Sequence, residues 1–354
     1  MNFKKIMSMA ITGVLAVGLL AGCGKATDSQ AGGGQGKDGL PDLKGKKLAV
    51  YVSFHEDMGK KLIQMFEEKT GCEVSYIRMP TGEAVTRIMA EKDDPKADIF
   101  IGGTADAHEV MNEKGLLEKY ESKSEEGISK DLLDKNGVWK GLYVETLSIG
   151  VNTERFKKEF ETKGIKMPTT LEDLLNPAFK GEIIMPDPNS SGTGITFVAS
   201  VLNAMGEEKG LDYLKKLKPN VAQFTKSGFT PAQKVGTGEY LISVNFLADQ
   251  LIIKNSGFPL ESNVYDKAGW SIVPVSKIGK AKNKEAAEAF IDFVLTKEAG
   301  DALVEISNAV STREDVTAPK GGKKLTELPI NKDFNFLEAA KNKKSILEKF
   351  NAIK

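Results

Sequence analysis

From residue 47 onward the chain alternates short apolar runs with segments whose apolar residues recur every three to four positions. The runs are those of buried strands and the spaced segments those of amphipathic helices, an alternation that leads to a parallel or mixed sheet with right-handed crossovers. Residues 47–52 predict a strand that ends at Ser53-Phe54-His55. Met58, Leu62, Ile63 and Phe66 then line one face of a helix over 58–69, which Gly71 stops in a left-handed cap. Strands are expected at 73–78 and 97–101, with helices at 83–91 and 107–114. The second half repeats the pattern, with an extended run over 143–152 and a capping-box pattern at Thr170-Leu171-Glu172-Asp173. Further strands are expected at 181–185, 240–245 and 270–275, and helices at 195–205, 209–217, 231–235 and 285–295. No internal repeat of short period is present.

A length of 354 residues suits about two domains. Lys+Arg and Asp+Glu both number 49, and only Arg78, Arg87, Arg155 and Arg313 are arginines. Nucleic-acid binding is disfavoured, because no basic excess is available to neutralise phosphates. Two histidines disfavour a multi-histidine metal site, and two cysteines cannot build a disulfide framework.

The N-terminus sets the expected compartment. Lys4 and Lys5 precede an apolar stretch from Ile6 to Leu20, shorter than the roughly 20 residues a spanning helix needs, so 1–22 reads as a signal peptide. Leu20-Ala21-Gly22-Cys23 looks like a bacterial lipobox, which makes Cys23 the lipidated first residue of the mature chain and leaves Cys72 without an intramolecular partner. Residues 23–45, glycine-rich around Gly32-Gly33-Gly34, are expected to form a flexible tether.

Several phrases resemble the extracellular solute-binding proteins of ABC importers with the type II periplasmic-binding fold. They include Phe66-Glu67-Glu68-Lys69-Thr70-Gly71, Ala97-Asp98-Ile99-Phe100, Gly150-Val151-Asn152-Thr153, Asn176-Pro177-Ala178-Phe179-Lys180-Gly181 and Asp187-Pro188-Asn189-Ser190-Ser191-Gly192-Thr193-Gly194. The branch is similar to that of ferric-iron, hexose-phosphate and aminoalkylphosphonate binding proteins. The resemblance implies a two-lobed α/β fold, with mixed sheets flanked by helices and the ligand in the interlobe cleft. It places 46–147 and 264–310 in lobe 1 and 148–263 and 311–354 in lobe 2. It further implies a monomer, held on the outer face of the cytoplasmic membrane or in the periplasm, that passes a small solute to permease subunits, with no cofactor.

The candidate ligand contacts follow from strand-end turns. In doubly wound sheets ligands lie beyond the carboxyl ends of strands, where Ser53, Thr81, Gly82, Gly103 and Thr104 fall. Ser190, Ser191, Gly192 and Thr193 precede a helix whose N-terminus suits an anion, the alternative being a plain N-cap. Ser227 lies in another hydroxyl-rich turn. Asn245 ends a late strand and Asp249 follows it, Asp249 being either a hydrogen-bond acceptor or an exposed helix carboxylate. Phe54 and Phe246 are either an apolar wall or core. His55 stands where the ferric-binding relatives place a histidine, but no Tyr-Tyr pair exists for iron. His108, inside a helix, is expected at the surface. Together these residues predict capture of a phosphate- or phosphonate-bearing anion, with a ferric-iron or polyamine binding protein as the alternative. A secreted hydrolase is the reading from another class, and no catalytic constellation such as Gly-x-Ser-x-Gly supports it.

Overall fold

A computed structural model describes residues 39–318 and 324–353. The signal peptide, Cys23 and most of the expected tether lie outside the described residues. The tether's last part does not behave as a linker: Leu40 and Leu43 are buried, and the Leu43 N–H donates to Thr70 O at 2.8 Å. Two leucines among polar neighbours suffice to pin that strip onto the core.

The first half runs β1 (Lys47–Ser53), α1 (Glu56–Thr70), β2 (Glu73–Arg78), α2 (Thr81–Ala90), β3 (Ile99–Gly102), α3 (Ala105–Glu113) and β4 (Leu117–Glu118). A long strand follows, β5 (Trp139–Asn152), then α4 (Thr153–Glu159), β6 (Ile183–Pro186), α5 (Gly192–Met205), α6 (Glu207–Leu217), β7 (Val221–Thr225), α7 (Thr230–Gly236), β8 (Ile242–Phe246) and α8 (Leu247–Asn255). The chain ends with β9 (Leu260–Asn263), β10 (Trp270–Ile278), α9 (Lys284–Val294), α10 (Lys297–Ser307), β11 (Val310–Ser311), α11 (Phe336–Lys341) and α12 (Lys343–Ala352).

The strand order is β2-β1-β3-β10-β5-β8-β6-β7. β2, β1 and β3 are parallel, as are β8, β6 and β7, while β5 and β10 run antiparallel between them. β5 changes partner along its length: 139–146 pair with β10, and 147–151 pair with β8. Two apolar cores sit on either side of that change. Phe66, Phe290 and Phe293 anchor the first, with Phe66 edge-on to Phe290 at 5.1 Å. Phe179, Phe197 and Leu214 belong to the second. The tail touches both sides. β11 pairs with β5 at Val144 and Tyr143, Lys343 Nζ meets Asp106 Oδ2 at 3.0 Å, and Phe350 packs edge-on to Phe224 at 5.9 Å.

Local sequence explains most element ends. Gly71 closes α1 with φ 71°, and Thr170 and Asp173 form the expected reciprocal box, each N–H donating to the other's side chain at 2.9 and 3.2 Å. α2 and α5 begin earlier than their apolar periodicity suggests, at Thr81 and Gly192. Their glycines serve close approach rather than a turn: a Cβ on Gly194 would lie 2.7 Å from Pro186 O.

Candidate functional site

The carboxyl ends of β1, β2 and β3 and the loops after β6, β7 and β8 open onto one cavity of about 50 Å³. It is lined by the residues at which α1, α2, α3, α5 and α8 begin: His55, Thr81, Thr104, Ser191 and Phe246. Each helix start carries a partial positive charge, so five of them around one space make it attractive to negative charge.

The structure brings Ser53, His55, Thr81, Gly103, Thr104, Ser191, Thr193, Ser227 and Asp249 to this wall. Ser191 precedes α5 without capping it, and Thr104 precedes α3 without capping it. The Thr104 hydroxyl is buried and has no hydrogen-bond partner at all. His55 caps α1 by accepting from the Asp57 N–H at 3.3 Å, and its ring meets Phe229 edge-on at 4.3 Å. Burial lowers its pKa. Phe54 and Phe246 are both: buried in the core, and exposing an edge to the cavity.

The other expected residues stand behind the wall. The Gly82 N–H donates to Ser190 O at 2.9 Å, joining the start of α2 to the loop before α5. Gly192 packs on Thr104, and the Asn245 side-chain amide donates to Gly228 O at 3.2 Å while accepting from Gln250. These four residues shape the cavity through its backbone.

One expectation is corrected. His108 is not at the surface but fully buried in α3, with Nδ1 2.6 Å from Ser276 Oγ and Nε2 2.8 Å from Gly102 O. The carbonyl can only accept, so Nε2 carries the proton and Nδ1 accepts from Ser276. The ring stacks on Phe100 at 4.5 Å, and burial lowers its pKa to about 4. It thereby braces Gly102, which turns into the cavity wall at φ 90°.

Sequence reasoning missed Arg78, Tyr143, Glu145, Lys226 and Phe229 on the cavity wall. Arg78 ends β2, and its guanidinium donates to Phe54 O at 3.2 Å and to Ser227 Oγ at 3.0 Å. An arginine at a strand's carboxyl end, in a chain with so few, was the available signal. Glu145 is buried in mid-β5 with Oε2 unpartnered. Burial and the nearby Asp249 charge push its pKa well above the usual carboxylate range. Asp249 itself is raised to about 7 by burial, against the pull of Arg78 and Asn245. Hydroxyls, a guanidinium and helix starts can hold an oxyanion, and the carboxyl pair can meet hydrogen-bond donors.

Among the described residues no helix is long and apolar enough to cross a membrane. Residues 94–344 match the family of bacterial extracellular solute-binding proteins. An uncharacterized protein of Haemophilus influenzae is 34% identical over 99% of this chain and 98% of its own. The solved periplasmic binding protein AfuA from Actinobacillus pleuropneumoniae, with fructose-6-phosphate bound, is 34% identical with a TM-score of 0.82, over 87% of this chain and 98% of that one. A putative 2-aminoethylphosphonate-binding periplasmic protein of Salmonella typhimurium is 24% identical over 71% of this chain and 73% of its own. The chain belongs to the bacterial extracellular solute-binding proteins.

Proposed function

We propose that the protein captures a small solute carrying a phosphate or phosphonate group in this cleft and delivers it to an ABC importer. One observation carries the reading: five helix starts, Arg78 and the unpartnered Thr104 hydroxyl meet at a single cavity. A phosphate offers three acceptor oxygens, which suits hydroxyl and backbone donors backed by positive helix ends. Arg78 and Lys226 on the same wall favour an anion over a ferric ion. The fructose-6-phosphate bound by AfuA, at 34% identity, supports the same chemistry.

The cavity of about 50 Å³ has room for a few waters, or a group of similar size, but not for a whole solute. On this reading the two halves part for entry, with β5, which changes partner between Thr146 and Leu147, as one crossing segment. Closure about such strands is a common way to trap a ligand. Cys23, lipidated at the end of its signal peptide, holds the body outside the cytoplasmic membrane; Cys23→Ala abolishes labelling with a radiolabelled fatty acid, and unchanged labelling refutes the anchor.

Thermal melting against phosphate esters, phosphonates and ferric citrate tests the ligand class, since binding raises apparent stability by mass action. Phosphorus compounds should raise Tm, and Ser191→Ala or Thr193→Val should weaken their binding about ten-fold, the worth of one lost charge-assisted bond. Stabilisation by ferric ion alone refutes the reading.

A further inference from the structure

We infer that Thr146, Ser262 and Tyr265 are positioning residues for capture: their hydroxyls go unbonded when the cleft is closed and find partners when the halves part, so the ligand-free protein rests open until a solute closes it. This rests on the proposed parting of the halves. Among the described residues five buried side-chain polar atoms have no hydrogen-bond partner: Thr104 Oγ1, Glu145 Oε2, Thr146 Oγ1, Ser262 Oγ and Tyr265 Oη. Thr104 and Glu145 line the cleft, where a ligand can complete them. The other three residues do not line it, so a captured solute leaves their hydroxyls unbonded.

All three flank the place where β5 changes partner. Thr146, opposite Trp270, is the last β5 residue in register with β10, and Leu147 is the first in register with β8. Ser262 lies on β9 opposite Gly150 of β5. Tyr265 lies in the link 264–269, which leads from β9, paired with 149–152 of β5, to β10, paired with 139–146. Rotation of one half against the other is absorbed at a few such segments.

A buried hydroxyl with no partner has given up its bonds to water and gained none in return. Thr146 is 3% exposed and Tyr265 2%, so neither regains water in the closed arrangement. For Tyr265 the partners are at hand. Ser200 and the Gly269 backbone stand near its hydroxyl, at a geometry that bonds neither. Ser200 Oγ donates to Phe197 O at 2.9 Å and can accept as well, and Gly269 belongs to the link itself. A modest turn of the link therefore suffices to bond the phenol. The unpaired hydroxyls weigh against the closed arrangement alone, and affinity falls with the fraction of ligand-free protein that is closed.

Thr146→Val and Tyr265→Phe remove only a hydroxyl and keep the shape, so they test this in the full chain. Each should bind fructose-6-phosphate about five-fold tighter or more by isothermal titration, the low end of what one unpaired buried hydroxyl costs. The ligand-free Tm should stay within about two degrees of wild type, because the open arrangement carries no such cost. A gain in affinity is not what damage to the fold would produce. Wild-type or weaker affinity in both variants overturns the inference, as does a raised ligand-free Tm with unchanged affinity, which would place the cost in both arrangements. Small-angle scattering of the wild type separates the underlying reading: binding of fructose-6-phosphate without contraction, or no binding at all, refutes the proposed closure on this solute and takes the inference with it.

Discussion

Gly192→Ala tests the proposed closure of the cleft. A methyl group at 192 would overlap Thr104 Oγ1 and stand 3.0 Å from its Cγ2 and 3.2 Å from its Cβ. Thr104 cannot easily move away. It is β-branched, 2% exposed and fixed at the start of α3. Overpacking of this kind costs about 1–3 kcal/mol. Gly192 begins α5 and Thr104 begins α3, which the proposed lobes place in opposite halves, so the proposed parting of the halves would relieve the clash. The cost then falls on the ligand-bound closed state and not on folding. Affinity for fructose-6-phosphate should drop about five- to 150-fold, while the Tm of the ligand-free variant stays within a few degrees of wild type. Calorimetric titration with parallel melting curves reads both quantities. A double-mutant cycle with Thr104→Ala, which removes the overlapping atom, should be non-additive. Wild-type affinity in Gly192→Ala, or strict additivity in the cycle, would refute the closed geometry.

Three further outcomes follow from buried groups. His108 stays neutral in the folded protein down to pH about 4, whereas the unfolded chain takes up its proton near 6.5, so this residue's contribution is intact above pH 6.5 and is lost as pH falls toward 4. Urea denaturation of His108→Gln should therefore show a shallower loss of stability from pH 7 to 5 than wild type; parallel curves would refute the assignment. Asp249 acts in the opposite direction, because its folded pKa of about 7 lies above its unfolded value: its burial costs nothing below pH about 4 and progressively more as pH rises to 7. Asp249→Asn should thus gain stability over wild type at pH 8 relative to pH 4.5, and no relative gain would contradict the buried acid. Burial raises the Cys72 thiol to about 11, so it should resist iodoacetamide in the native protein at pH 8 and react once unfolded; rapid native labelling would contradict its placement.

Much of the fold was legible because it is written in local periodicity. The apolar spacing of Met58, Leu62, Ile63 and Phe66 marks α1 and Gly71 marks its end, and both hold in three dimensions. The site was legible in part, through hydroxyls and glycines at strand ends, because strand–helix topology sends those ends to one side of the sheet. Glu145 was hidden, since it lies inside β5, where nothing local separates a cavity-facing carboxyl from a surface one. His108 was hidden by distance, its partner Ser276 lying 168 positions away. Gly82 and Gly192 were expected as ligand contacts, and only tertiary packing reveals that each makes room for a neighbour's backbone or side chain.

The central claim is that the cavity between the helix starts holds an oxyanion. It is tested most directly by amide chemical shifts of isotopically labelled protein titrated with fructose-6-phosphate. The account predicts saturable shifts with one-to-one stoichiometry, concentrated at Thr81, Gly103, Thr104, Ser191, Gly192, Thr193 and Ser227. Saturable binding that leaves those amides unmoved, or shifts at them with ferric citrate and none with phosphate esters, would contradict it.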